Sequence, residues 1–128
     1  MPRILVVEDE AEIRSIVKHH LVDANYEVVE AEQGEEAIEM INKGDNPLNI
    51  DAAICDIRMP KINGIEAIAY FQREYPTLPL IVITGFPDTE LAVSLLNKGV
   101  KDYLVKPVKK EKLLAVVKKA VSERSNKR

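Results

Sequence analysis

Three acidic residues in succession, Glu8-Asp9-Glu10, close one short apolar run, and a fourth, Asp56, closes another. Thr84 stands at the end of a third such run and Lys106 at the end of a fourth. Carboxylates gathered in one place repel: like charges about 4 Å apart cost about 4 kcal/mol at an effective dielectric near 20. A divalent cation removes that cost. Carboxylate, carbonyl and water ligands with no His or Cys among them favour Mg²⁺ or Mn²⁺ over zinc. Lys106 adds a fixed positive charge and Thr84 a rotatable hydroxyl. Together they describe an oxyanion site beside a metal, and phosphoryl transfer needs little else. The good nucleophile at the centre is the Asp56 carboxylate, a group that forms aspartyl phosphates.

These residues meet only if the chain alternates strands and helices. Short runs at 4–7, 27–31, 52–55, 80–83 and 103–105 predict five strands. Helical spacing predicts helices over 10–24 (Ile13, Ile16, Val17 and Leu21 on one face), 34–43, 63–75 (Ile65, Ile68 and Phe71), 88–98 and 110–123. Asn63 and Asp88 are placed to cap two of them, and Gly44 and Gly99 fall where helices stop. Residues 45–49 read as a polar turn, and residues 125–128 as a frayed end.

Five such units imply an α/β protein, a parallel sheet with five helices shared between its two faces. An eight-fold barrel needs about 200 residues or more, so the open three-layer sandwich remains. In such sheets ligands bind beyond the carboxyl ends of the strands. Glu8, Asp9, Asp56, Thr84 and Lys106 all fall there.

The length of 128 residues fits one domain. Cys55 is the sole cysteine, which excludes an internal disulfide and a multi-cysteine zinc site. The formal net charge of −3 hides an imbalance: −10 over residues 1–100 and +7 over residues 101–128. An acidic body repels phosphate backbones, so direct binding of nucleic acid is not expected. No apolar run approaches the roughly 20 residues of a membrane span, and the first residues lack the form of a signal peptide. The expected location is the cytoplasm, away from membranes.

Four segments in register carry a specific resemblance. Ile4-Leu5-Val6-Val7-Glu8-Asp9-Glu10, Asp56-Ile57-Arg58-Met59-Pro60-Lys61-Ile62-Asn63-Gly64, Thr84-Gly85 and Asp102-Tyr103-Leu104-Val105-Lys106-Pro107 resemble the receiver domain of bacterial response regulators. The likeness covers nearly the whole chain. It implies a flavodoxin-like doubly wound fold with strand order 2-1-3-4-5, a receiver over residues 1–122, and a tail or linker start over 123–128.

It further implies that Asp56 accepts a phosphoryl group from a sensor histidine kinase or phosphotransfer protein. Asp9 would bind Mg²⁺ directly, Glu8 through water and Arg58 through its backbone carbonyl, with Asp56 completing the metal site. Thr84 and Lys106 would contact the phosphoryl oxygens, and the Lys106–Pro107 peptide bond would be cis. Thr84 and Tyr103 would form a switch whose readout face is the fourth helix, fifth strand and fifth helix. A downstream effector protein or domain, or a phosphorylation-dependent homodimer, would engage that face. Such a domain catalyses only its own phosphorylation and dephosphorylation.

Three other functions fit less well. A haloacid-dehalogenase-like phosphatase carries a second Asp two residues after its nucleophile as acid/base, whereas Arg58 stands there and arginine is never a base. A flavodoxin-like cofactor binder needs a phosphate loop after the first strand, where Glu8-Asp9-Glu10 would repel phosphate. A pseudo-receiver is disfavoured by the presence of Asp56, Thr84 and Lys106 together. Cys55 reads as a small buried apolar residue, and His19 and His20 as surface residues on the first helix.

Overall fold

In the computed structural model the described residues are 1–57 and 64–127, with side chains through Arg124. Arg58, expected as a carbonyl ligand, and Asn63, expected as a helix cap, lie outside them. Five strands alternate with helices: β1 (Arg3–Val7), α1 (Ala11–Asp23), β2 (Glu27–Ala31), α2 (Gly34–Ile41), α3 (Asn46–Asn49), β3 (Ile50–Asp56), α4 (Gly64–Glu74), β4 (Leu80–Thr84), α5 (Thr89–Asn97), β5 (Asp102–Val105) and α6 (Lys110–Lys127). The strands form one parallel sheet in the order β2-β1-β3-β4-β5, the flavodoxin-like arrangement.

Alternate residues of each strand feed two separate cores, because side chains in a strand point to opposite faces. Leu5, Val7, Ala53, Cys55, Leu80 and Val82 pack beneath α2, α4 and α5 with Ala37, Phe71 and Leu95. Ile4, Val6, Ile54, Ile81, Ile83 and Leu104 pack beneath α1 and α6 with Val17, Leu21, Leu113 and Val117. Strands buried on both faces are rich in apolar residues throughout, which is why β1, β3 and β4 show continuous runs. Each run ends where the chain leaves the sheet, and the polar residues gather on that edge.

Four details differ from the sequence-based expectation. There are six helices, not five, because residues 45–49 hold the single-turn α3 with a proline in its first turn. Proline is tolerated there, where the missing N–H has no intrahelical partner. The last helix runs on to Lys127 instead of fraying. Its final turns are tied down by buried Arg124 and by the Lys101–Glu123 ion pair at 3.6 Å. Ile16 and Ile65, placed on core-facing stripes, are 55% and 40% exposed. His20 is only half-buried rather than a free surface residue: it lines a groove of about 250 Å³ with Ile13, Val17, Pro107 and Val108.

Asp88 caps α5 as its position suggests, its Oδ1 accepting from the Leu91 N–H at 3.1 Å. Gly99 follows that helix with φ +104, a conformation that side chains rarely adopt. No helix among the described residues is long and apolar enough to cross a membrane.

Candidate functional site

The site lies at the carboxyl edge of the sheet, where β1, β3, β4 and β5 end together. β1 runs straight into Glu8, whose backbone N–H still donates to the Ala31 carbonyl at 3.0 Å. Because successive side chains alternate, Glu8 turns inward and is 1% exposed while Asp9 faces solvent. The Arg14 guanidinium, one turn into α1, donates to the Glu8 carbonyl at 2.8 Å and clasps this loop. Glu8 Oε2 accepts from the Glu10 N–H at 3.1 Å.

Asp56 ends β3 and is 2% exposed. The start of α4 presses on the backbone just beyond it. A Cβ built on Gly64 would collide with the Asp56 carbonyl oxygen and the Ile57 Cα, so only glycine fits this approach. Thr84 ends β4 and is wholly buried. Its hydroxyl oxygen accepts from the Phe86 N–H at 3.0 Å, which engages it with its own loop.

Lys106 follows β5, anchored by its N–H to the Thr84 carbonyl at 2.8 Å, and its bond to Pro107 is cis. The Lys106 ammonium enters the acidic cluster. Nζ donates to Asp56 Oδ2 at 2.8 Å and to Glu10 Oε1 at 3.2 Å. It lies 2.6 Å from Glu8 Oε1, an ion pair without hydrogen-bond alignment.

The electrostatics follow from burial. The Glu8 carboxyl is pushed up to about 7, chiefly by desolvation; Lys106 pulls it down and neighbouring Asp56 pushes it further up. For Lys106, burial favours the neutral form, but the carboxylates of Asp56 and Glu8 outweigh it and hold the ammonium above its ordinary value. The Cys55 thiol beside the site is buried and pushed up to about 12, mostly by desolvation, so it stays an inert thiol.

Oxygen atoms of Glu8, Asp9, Glu10 and Asp56 lie within 4.8 Å of one another. Four carboxylates with one ammonium among them form an all-oxygen, electron-rich donor set, which fits a hard divalent cation such as Mg²⁺. The structure thus brings Glu8, Asp9, Asp56 and Lys106 together, with Thr84 at the end of the strand next to Asp56. Tyr103 sits further along β5, half-buried, its hydroxyl accepting from the Asp88 N–H at 3.3 Å. Sequence reasoning did not assign Glu10 as a partner of Lys106, nor Arg14 as the clasp of the loop. Their only signal was the charge of each residue; Glu10 and Lys106 are 96 positions apart, and the Arg14 contact, only six positions away, is with a backbone carbonyl that no side-chain pattern marks.

Fold and site together define a class: an open α/β sandwich with a buried aspartate, an acidic cluster and a lysine at the sheet's carboxyl edge. The chain belongs to the response regulator receiver domain family, whose model matches residues 4–118. It is 31% identical over 121 residues to the Chemotaxis protein CheY of Listeria monocytogenes, covering 94% of this chain and 98% of that protein. It is equally similar, 31% over 121 residues, to a Cyclic di-GMP phosphodiesterase of Thermotoga maritima, but spans only 31% of that protein's length. A response regulator receiver domain protein from Clostridium thermocellum superposes with a TM-score of 0.93 at 27% identity, covering the whole of both chains.

Proposed function

We propose that this chain is a phosphorylation-activated signalling switch. Asp56 accepts a phosphoryl group from a sensor histidine kinase or phosphotransfer protein in a reaction assisted by Mg²⁺. The observation that carries this reading is the Asp56 carboxylate, buried among other carboxylates and bonded to Lys106 at 2.8 Å. In the transfer the P–N bond of a phosphohistidine breaks, a P–O bond to an Asp56 oxygen forms, and the imidazole leaves. Mg²⁺, when bound, neutralises charge on the transferring group. Glu8, Asp9 and Asp56 would hold it, together with the Arg58 carbonyl.

The residues divide the work. Lys106 offers its ammonium to one phosphoryl oxygen, and Thr84 offers its hydroxyl to another. For that, Thr84 must rotate away from Phe86, and Tyr103 must leave its hydrogen bond with Asp88. This couples the site to α5, β5 and α6, the face that would control an output partner or domain. Moving such a two-state element from 1:99 to 99:1 takes about 5.5 kcal/mol of differential interaction, within reach of a dianionic group bound by a cation, Lys106 and Thr84. No base stands beside Asp56 in the sequence to activate water, since Arg58 occupies the second position after it. The aspartyl phosphate should therefore persist as a signal, with no external substrate turned over. Such a switch works in the cytoplasm, where its kinase and output meet.

The test is intact-mass spectrometry after incubation with a small-molecule phosphodonor, with and without Mg²⁺, on wild type and Asp56→Asn. Labelling of the wild type alone, lost without Mg²⁺, supports the reading. Equal labelling of Asp56→Asn removes Asp56 as the acceptor.

A further inference from the structure

One carboxylate of the acidic mouth has no part in the scheme above. The Glu10 side chain is 60% exposed, yet its Oε1 lies 3.2 Å from Lys106 Nζ. Lys106 therefore touches three carboxylates at once, Glu8 at 2.6 Å, Asp56 at 2.8 Å and Glu10 at 3.2 Å. All three have oxygens in the cluster that could hold a divalent cation, but only the first two are buried. Glu8 Oε1 and Asp56 Oδ2 cannot serve the ammonium and a divalent cation equally, because two cations drawn to one oxygen repel each other. Of the three partners of Lys106, only Glu10 stands on the solvent side of this competition.

We propose that Glu10 is a positioning residue that holds the Lys106 ammonium at the mouth of the site when Glu8 and Asp56 turn to a divalent cation. It keeps Lys106 beside Asp56, ready for an incoming phosphoryl oxygen, instead of releasing it to water. The inference rests on the metal-assisted reading above. By linkage, a Glu10–Lys106 pair that tightens when the cation binds also favours cation binding. The rival role for Glu10 is that of a metal ligand or a plain negative charge near the metal, independent of Lys106.

A double-mutant cycle separates the two. Mg²⁺ affinity is measured by calorimetric titration at about 0.15 M ionic strength, where exposed charges beyond about 8 Å are largely screened. The proteins are wild type, Glu10→Gln, Lys106→Met and the double variant. Lys106→Met should bind Mg²⁺ more tightly than wild type, since the competing ammonium is gone. Glu10→Gln should weaken binding by about tenfold with Lys106 present, and by a clearly smaller factor in the Lys106→Met background. Glu10→Asp should recover most of the loss.

Equal losses in both backgrounds overturn the proposal while leaving the metal reading intact. Unchanged or weaker binding by Lys106→Met also overturns it, because no competition then exists. Absence of Mg²⁺ binding by the wild type overturns both the inference and the metal-assisted reading.

Discussion

The two edges of the sheet each carry an ion cluster, and they are built to opposite ends. At the amino edge Arg3 bonds Asp45 at 2.8 Å, Asn46 at 2.9 Å and Glu27 at 3.4 Å. Its acidic partners are 67% and 51% exposed, so water shares the load. There Arg3 and Asp45 are each eased toward the charged form. The Arg3 hydrogen bond lowers the Asp45 carboxyl, and Asp45 in turn raises the Arg3 guanidinium. At the carboxyl edge one ammonium serves three carboxylates, two of them almost wholly buried. There Glu8 is pushed away from its charged form. The amino edge is satisfied and structural. The carboxyl edge is short of positive charge, which is the condition of a site that takes up a cation.

Substitutions at the carboxyl edge should therefore hurt more, and should respond to ligands. The largest effect is expected from Gly64→Ala. The new Cβ meets backbone, which cannot rotate aside, so a loss of about 3 kcal/mol is expected in denaturant unfolding. A loss below about 1 kcal/mol would mean that α4 shifts freely, and that this edge is less tightly packed than the distances imply.

Next comes Lys106→Met, which leaves Glu8, Asp56 and Glu10 without their shared cation. A loss of about 2 kcal/mol is expected near pH 8 without metal. The loss should shrink near pH 5.5, where Glu8 takes up a proton, and on adding Mg²⁺. A loss that ignores both pH and Mg²⁺ would make Lys106 a packing residue like any other.

In the wild type, the raised Glu8 carboxyl holds an extra proton in the folded state between its ordinary value of 4.5 and about 7. Its contribution to stability is thus present below that window and is lost as pH rises through about 7. The same proton competes with a metal. The rise in Tm on adding Mg²⁺ should be greater at pH 8 than at pH 6, and should nearly vanish in Asp9→Ala. Identical rises at both pH values would remove Glu8 from the cation site. Equal rises in wild type and Asp9→Ala would remove Asp9.

The smallest effect belongs to the amino edge. Arg3→Met should lower Tm by a few degrees at most, with the same increment with and without Mg²⁺, and less at high salt. A response to Mg²⁺ there would break the contrast between the edges.

Much of this was legible in the chain. The strands of the central sheet announce themselves because burial on both faces leaves no polar position until the strand ends, so each run stops abruptly at Glu8, Asp56 or Thr84. Asp88 and Gly99 bracket α5 because capping chemistry is local. The errors arose where local signals fade. Four residues are too few to show a period, so α3 read as a turn. The polar end of α6 read as frayed because its support comes from Lys101 and from the burial of Arg124, both tertiary facts. Ile16 and Ile65 carry the right spacing, yet how wide a stripe is covered depends on the neighbours, and these two stay 55% and 40% exposed.

By itself, the sequence determined which chemical groups stand at the strand ends, since hydrophobic runs and their polar stops are one-dimensional information. Tertiary structure decided how those groups pair. The pleat of β1 turned Glu8 inward and Asp9 outward, although the two are adjacent and equally acidic. The parallel order β3-β4-β5 carried Lys106 across to Asp56, fifty positions away in sequence. The resulting contact with Glu10 spans ninety-six positions. Coulomb interactions act through space, so no pattern along the chain could have named the carboxylate that faces that ammonium from the solvent side.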